Sequence, residues 1–233
     1  MGSIYPGIPY KLALALKSDA HIADFVETGT SHGETTAWAA GHFDRVKTVE
    51  AYRPLFEAAV RRFAGSSNVE VIFGRSINAL PTILTSLGGR ALFWLDAHWS
   101  GEGTGGEDDE CPLLAELDII LRHRKDHILL VDDARFFLAP PNTPHDPEKW
   151  PDFETITRTV RNLSPDAYLV VIDDVIVVTS RGQKACIVDL MREPRLEIMH
   201  LEGQLAAMRS SMSWRVTRPL RALRLFAEKF RGQ

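Results

Sequence analysis

Short runs of apolar residues, rich in β-branched and aromatic types, recur along roughly the first 180 residues of the chain. Helix-like periodicity fills most of the gaps between them. Short apolar runs without alternation are typical of strands that are buried on both faces. Seven strands are predicted in this way: Phe25–Val26, Val46–Val49, Val69–Phe73, Ala91–Leu95, Ile128–Val131, Tyr168–Ile172 and Val175–Val178.

The gaps between the strands have the apolar spacing of amphipathic helices. The predicted helices are Pro54–Phe63, Ile77–Leu87, Leu113–Arg122 and Phe153–Leu163. Pro81 lies inside the second helix and is expected to limit it to two pieces, because proline removes a helix hydrogen bond. Only Asp173 and Asp174 separate the last two strands, which predicts an antiparallel hairpin at the end of the sheet.

Strands that alternate with helices predict an α/β fold with a mostly parallel, doubly wound sheet. We assign residues 1–181 to this domain and residues 182–233 to a helical, basic C-terminal appendage. Residues 203–233 contain seven basic residues and one acid, although the whole chain has a net charge of -4. This appendage could lie on an anionic membrane surface, pack as an oligomerisation helix on a partner chain, or dock on its own domain.

Composition agrees with a soluble globular protein, since 45% of the 233 residues are hydrophobic and 25% are charged. The net charge gives no indication of a nucleic-acid partner. Cys111 and Cys186 lie far apart in the sequence, so we expect no disulfide framework and a cytoplasmic location. The apolar stretch Leu12–Leu16 is too short for a signal peptide, and no run reaches the roughly 18 apolar residues of a membrane span.

A glycine-containing turn provides the first candidate for a ligand site. The apolar pair Phe25–Val26 ends in Glu27, Gly29 and Gly33 follow, and a helix-like segment begins at Glu34. This order predicts a strand, a tight turn and a helix N-terminus. Such a turn allows a ligand to approach the backbone and directs free N–H groups towards it.

Acids stand at the ends of four predicted strands: Glu27, Glu50, Asp96, Asp132 and Asp133. Ligands of open α/β sheets bind outside the carboxyl ends of the strands. Any one of these acids could be a helix cap or a turn residue. Together they would repel one another unless a cation or hydrogen-bond donors compensate their charge.

We expect different roles for these acids. Glu50 lies about 20 residues after the glycine turn and suits the diol of a ribose. Glu27 suits an ammonium group. Asp96 and the pair Asp132–Asp133 form an oxygen cluster suited to Mg²⁺, Mn²⁺ or Ca²⁺. His98 lies beside this cluster and is either a general base or a packed or capping histidine.

These residues resemble a known family. The segment from Glu27 through Gly29 to Gly33 resembles motif I of class I S-adenosylmethionine-dependent methyltransferases, although Ser31 stands where many members carry glycine. Glu50 is similar to the family's ribose-binding acid. The turn Gly74-Arg75-Ser76 falls where the family contacts adenine. The arrangement of Asp96 with Asp132–Asp133 resembles the metal site of catechol and macrocin-type O-methyltransferases.

The resemblance covers roughly residues 20–180 and implies a Rossmann-like fold with S-adenosylmethionine as cofactor. It implies a divalent metal, Mg²⁺ above all, on Asp96, Asp132 and Asp133. With Asp96 and His98 as catalytic residues, His98 would take the proton of the acceptor hydroxyl, or a metal-bound alkoxide would form without it. The residues that it assigns to S-adenosylmethionine are Glu27, Gly29, Thr30, Ser31, Gly33, Glu50, Arg75, Ser76 and Asp96.

The tail carries a second resemblance. The segment 211–221 resembles the ends of many bacterial surface-polysaccharide enzymes, which implies a saccharide or glycolipid acceptor. Trp99 and Trp150 could stack on a sugar ring or serve as packing. The glycine-rich, acidic segment Ser100–Cys111 is either a lid or a solvated loop, and Leu138–Asp152, with five prolines, is expected to be a rigid loop on the acceptor side.

Two other classes of function remain open at this point. The glycine turn and Glu50 would also serve a dinucleotide-dependent oxidoreductase, although hydride transfer has no use for the acid cluster. A non-catalytic Rossmann-like module that holds a glycan-assembly complex together is the other alternative.

Overall fold

The computed structural model describes residues 7–101, 103–106, 108–124, 126–192, 204, 205 and 208. The chain divides into two compact units, Met1–Ile187 and Val188–Gln233. Most of the second unit, including the segment 211–221, lies outside the described residues. The roles expected for the tail, and the domain boundary at residue 181, therefore stay predictions.

The first unit contains a seven-stranded sheet in the order β3-β2-β1-β4-β5-β7-β6. Strands β1 to β5 are parallel, and β7 is antiparallel to both β5 and β6. The strands are β1 (Asp24–Thr28), β2 (Arg45–Glu50), β3 (Val69–Phe73), β4 (Ala91–Leu95), β5 (Ile128–Val131), β6 (Ala167–Ile172) and β7 (Val175–Ser180). The predicted doubly wound fold and its closing hairpin are confirmed.

Helices connect the strands and cover the sheet. They are α1 (Tyr10–Ala20), α2 (Glu34–Ala40), α3 (Arg53–Arg62), α4 (Ser76–Ser86), α5 (Leu113–His123), α6 (Arg135–Leu138) and α7 (Phe153–Leu163), with short 3₁₀ turns at Pro147–Lys149 and Arg181–Gln183. Residues 184–192 are also helical. None of the helices described here is long and apolar enough to cross a membrane.

Helix α4 differs from its prediction, because it runs unbroken through Pro81. Leu80, Ile83 and Leu84 of this helix are buried in the main core, in which α4 packs beside α5. The apolar burial on both sides of the proline keeps the helix continuous despite the lost hydrogen bond. Helix α1 was not predicted; its buried residues are Leu12, Ala13, Leu16 and Ala20.

The sheet order determines where a ligand site can form. Helical crossovers leave β1 towards β2 on one side, and the chain returns to place β4 on the other side of β1. The carboxyl ends of β1 and β4 therefore meet at the point where the strand order reverses, which is the usual ligand crevice of such sheets. The residues that follow β2 and β5 lie next to this crevice.

Candidate active site

A cleft of about 160 Å³ lies at this crevice. Four segments that sequence reasoning selected contribute to its wall: the turn after β1, the ends of β2 and β3, and the segment after β4. The lining residues from these segments are Gly29, Ser31, Glu50, Gly74, Arg75, Ser76, Asp96 and His98. The structure thus brings together most of the predicted S-adenosylmethionine ligands around one cavity.

Gly29 allows the first turn to pass close to the end of β4. Its φ is +89°, and a Cβ at this position would lie 2.1 Å from the carbonyl oxygen of Asp96. Neither that conformation nor that contact is compatible with a larger residue. Gly29 is therefore required by the fold as well as by the cleft.

Ser31 has a left-handed backbone, with a φ of +49°. This explains why related turns often carry glycine here, since side chains disfavour that region. Its N–H donates a hydrogen bond of 2.9 Å to Oε2 of Glu50. The contact uses only the backbone, so serine can replace glycine without losing it.

Two backbone N–H groups fix the Glu50 carboxylate in the wall of the cleft. Its Oε1 accepts the N–H of Tyr52 at 2.8 Å, while Oε2 accepts the N–H of Ser31. Each carboxylate oxygen keeps a further lone pair. Because Glu50 lines the cavity, these lone pairs can accept two hydroxyl protons from a ribose.

Glu27, for which the sequence predicts a contact with an ammonium group, is buried in the fold. It is 1% exposed and is not among the described residues that line the cleft. Its Oε2 accepts hydrogen bonds from the hydroxyls of Thr36 and Thr48. Burial raises the pKa of Glu27 to about 7, although the two threonine hydrogen bonds lower it. The carboxyl group is engaged by the two threonine hydroxyls, and a direct contact with an ammonium group stays a prediction.

Thr30 and Gly33 also belong to the framework of the turn. The Thr30 hydroxyl lies 2.5 Å from that of Thr48, and Thr30 is buried. Gly33 donates its N–H to the Thr30 carbonyl at 2.8 Å, next to the ring of Phe63. Neither residue lines the cleft in the described part of the chain. Their role in cofactor binding is untested.

The segment after β4 closes one side of the cleft. Thr104, Gly105 and Asp109 line the same cavity as Glu50. Asp109 forms a salt bridge with Arg75, which comes from the turn after β3. This contact connects the segment to the turn predicted to border adenine, and the role of the segment as a lid stays a prediction.

Asp96, His98 and Asp133 come together beside the cleft, and the first two of them line it. Nε2 of His98 lies 2.8 Å from Oδ2 of Asp133, and Nδ1 lies 3.5 Å from Oδ1 of Asp96. The His98 side chain is only 9% exposed. Asp132 lies beside them and accepts the N–H of Asp133 at 2.8 Å. The sequence correctly selected four residues that converge in space.

The electrostatics of this cluster are dominated by burial and mutual contact. Burial raises the pKa of Asp96, and the charges of Asp132 and Asp133 raise it further against the influence of His98. Burial would lower the pKa of His98, but the hydrogen bond to Asp133 and the charge of Asp96 outweigh it and raise the pKa. Burial would raise the pKa of Asp133, but the hydrogen bond from His98 outweighs burial and the pKa is lowered.

The predicted metal site is not supported. Oδ1 of Asp133 lies 2.6 Å from Nη1 of Arg135, whose guanidinium also pairs with Asp174, and Oδ2 is engaged by His98. In the described part of the chain, no group of three His, Cys, Asp or Glu side chains is arranged to hold a metal ion. The Arg135 guanidinium and the His98 imidazole thus engage the Asp133 carboxylate that the sequence assigned to Mg²⁺. Arg135, which sequence reasoning missed, follows the acid pair by two residues.

The two tryptophans belong to the packing. Trp99 is 9% exposed and Trp150 is 6% exposed, so neither offers a face to a sugar ring. The Nε1–H of Trp150 donates to Oε2 of Glu110 at 3.0 Å. Glu110 is a second residue that the sequence did not single out, since it stood within a run of four acids.

Comparisons with known proteins support the fold. No protein-family model matches the chain, and a search of curated proteins finds no match. A Klebsiella pneumoniae protein assigned as an O-methyltransferase is 19% identical, with a TM-score of 0.50 over 77% of this chain and 83% of that one. A Staphylococcus aureus protein assigned as a caffeoyl-CoA O-methyltransferase is 14% identical, with a TM-score of 0.50 over 77% of this chain and 86% of that one. The chain therefore shares its fold with proteins assigned as O-methyltransferases.

Proposed function

We propose that this protein is an O-methyltransferase that uses S-adenosylmethionine. The observation that carries the proposal is the position of Glu50, fixed by two backbone N–H groups, in a cleft that also contains Asp96 and His98. A site that holds a ribose diol beside a candidate base suits a nucleoside-bearing methyl donor. The shared fold agrees with this assignment.

The residues of the cleft have separate roles in the proposed reaction. Glu50 holds the ribose, and Arg75 and Ser76 border the adenine. The donor supplies the methyl group, which leaves its sulfur for the acceptor oxygen. His98 takes the hydroxyl proton of the acceptor, and Asp133 orients the imidazole and stabilises its charge.

No step in this scheme uses a metal, because the Arg135 guanidinium pairs with Asp133 and the His98 imidazole serves as the base. Turnover in the presence of EDTA, compared with turnover in Mg²⁺, tests that part directly. Equal rates are expected. A rate that collapses in EDTA and returns with Mg²⁺ would show that the acid cluster rearranges to bind the ion.

The acceptor that we propose is a saccharide hydroxyl. The support is the resemblance of the segment 211–221 to the ends of surface-polysaccharide enzymes. The oxidoreductase alternative loses support, because the sheet places antiparallel β7 beside β5 where dinucleotide-binding sheets continue with a parallel strand.

Calorimetry with S-adenosylhomocysteine tests the proposal. The wild type should bind, and Glu50→Ala should bind roughly 10- to 100-fold more weakly, as expected for lost hydrogen bonds to a charged group. Glu57→Ala is the matched control, because Glu57 lies on the exposed surface of α3. Absence of binding by the wild type, with and without Mg²⁺, would overturn the assignment.

A further inference from the structure

Glu110 is a buried carboxylate that the proposed chemistry does not use. It is 4% exposed and lies at the end of the segment that follows β4. Its Oε2 accepts the Nε1–H of Trp150 at 3.0 Å and the N–H of Asp146 at 3.1 Å. Its Oε1 lies 3.4 Å from Nζ of Lys149. The carboxylate therefore holds the proline-rich loop at Asp146, Lys149 and Trp150.

The backbone of Glu110 makes a second connection. Its carbonyl accepts the N–H of Trp99 at 2.8 Å, and Trp99 is the residue directly after His98. Glu110 thus joins the start of the segment after β4 to the loop that contains Trp150. Two loops that are distant in sequence are fastened together beside the candidate base.

The indole of Trp150, which Glu110 holds, packs against His98. The centroid of its ring lies 5.4 Å from that of the His98 imidazole, with the planes tilted by 56°. Phe136 and Phe137 contact the indole at centroid distances of 5.3 Å and 5.6 Å. The indole therefore forms one wall of the space that His98 occupies. This wall is not exposed to solvent, since Trp150 is itself buried.

We propose that Glu110 is a positioning residue for methyl transfer: it holds the indole of Trp150 against His98 and so fixes the imidazole towards Asp133 and the acceptor hydroxyl. The proposal rests on the proposed function. Removing the carboxylate leaves the buried indole N–H of Trp150, and the partly buried N–H of Asp146, without this acceptor. A buried donor without a partner is costly, so the loop must shift to recover hydrogen bonds. The shift moves the wall of the His98 site.

The geometry predicts a particular kinetic pattern. Glu110 does not line the described cavity that contains Glu50, so its loss should leave binding of the methyl donor intact. A misplaced base lowers the rate of the chemical step, and an error of about 1 Å in position can cost up to 100-fold. Glu110→Ala should lower kcat about 10-fold while the KM for S-adenosylmethionine changes less than about 2-fold.

Variants at both ends of the contact test the mechanism. Glu110→Gln keeps an oxygen acceptor for the indole N–H and should recover kcat to within about 3-fold of the wild type. Trp150→Ala removes the wall itself and should match Glu110→Ala. The double variant should be no slower than either single one, because both remove the same contact. Asp108→Ala is the control, since Asp108 is an exposed acid two residues earlier.

Kinetics and NMR together keep the proposal falsifiable. Equal losses of kcat and donor affinity in Glu110→Ala would indicate a merely structural role and overturn the proposal, as would additive effects of Glu110→Ala and Trp150→Ala. If Glu110→Ala does not fold, Glu110→Gln and Trp150→Ala still test the proposal. If the wild type does not transfer methyl groups, the proposed function fails separately. The imidazole resonances of His98 then report positioning alone: they should shift in Glu110→Ala, and unchanged resonances would overturn the proposal.

Discussion

Nε2 of His98 lies 2.8 Å from Oδ2 of Asp133, so a residue that follows β4 is paired with one that follows β5. The pairing depends on the parallel register of these neighbouring strands, in which Leu95 is opposite Val131. A histidine oriented by a carboxylate is a common form of general base. In this chain the pair stands beside the cleft that contains Glu50.

Removing either member of the pair should stop the chemistry without removing the donor. His98→Ala and Asp133→Asn are each expected to lower kcat by about 100-fold or more, the usual contribution of a positioned base. Calorimetry should find the affinity for S-adenosylhomocysteine nearly unchanged. His42→Ala serves as the control, because His42 is an exposed residue that follows α2. Full activity of His98→Ala would remove the imidazole from the mechanism.

The stability of the protein should depend on the protonation of Glu27. Burial raises the pKa of this carboxyl from 4.5 to about 7, so the folded state binds the proton more tightly than the unfolded chain. The stabilisation is complete below pH 4.5 and is lost as the pH rises through about 7. Over that window the contribution of Glu27 should fall by about 3 kcal/mol.

Urea unfolding between pH 4.5 and 8 measures this effect. The free energy of unfolding of the wild type should decrease relative to that of Glu27→Gln as the pH rises, since the amide cannot ionise. The difference between the two proteins removes the contribution of Asp96, which titrates in the same direction. Parallel pH profiles for the two proteins would show that Glu27 keeps an ordinary pKa.

The salt bridge between Arg75 and Asp109 should keep the donor in its cleft. Both side chains are partly exposed, so the expected coupling is only about 0.5–1 kcal/mol. Arg75→Ala and Asp109→Ala should each increase the dissociation rate of S-adenosylhomocysteine about 3-fold, as measured by stopped flow. The effects should not add in the double variant. Additive rates would mean that the two residues act independently.

Gly29 should tolerate no side chain. A Cβ at this position would lie 2.1 Å from the Asp96 carbonyl oxygen at a φ of +89°. Gly29→Ala is therefore expected to destabilise the fold by about 2–3 kcal/mol in chemical denaturation. Gly65 offers a matched comparison, because a Cβ there meets nothing within 4 Å. A similar, small effect of Gly29→Ala and Gly65→Ala would contradict the close approach of the two strand ends.

The strands could be predicted because each is a short apolar run that is buried in a parallel sheet. Helix α1 could not be predicted, because no start signal marks it in the sequence. Its first residue follows Pro9, which provides no side-chain cap. The unbroken α4 depends on burial against the core, which local propensity does not contain.

The candidate site likewise has features that the local sequence pattern predicts and others that depend on tertiary contacts. Sequence order placed Glu50, Asp96, His98 and Asp133 at one sheet edge, because strand ends of a parallel sheet share that edge. All five residues of β1 are buried, so no alternation revealed on which side Glu27 would lie. The pairing of Asp133 with Arg135 and the anchoring of Trp150 by Glu110 are tertiary contacts, and the spacing of residues did not encode them.

A crystal structure of the protein with S-adenosylhomocysteine would locate the methyl-donor site directly. We predict the nucleoside in the cleft between Gly29, Arg75 and Asp96, with both ribose hydroxyls within hydrogen-bond distance of the Glu50 carboxylate. The sulfur should face the side of the cleft that contains His98. A ligand bound away from Glu50, or a cleft without the ligand at saturating concentration, would contradict the assignment of this cleft to the methyl donor.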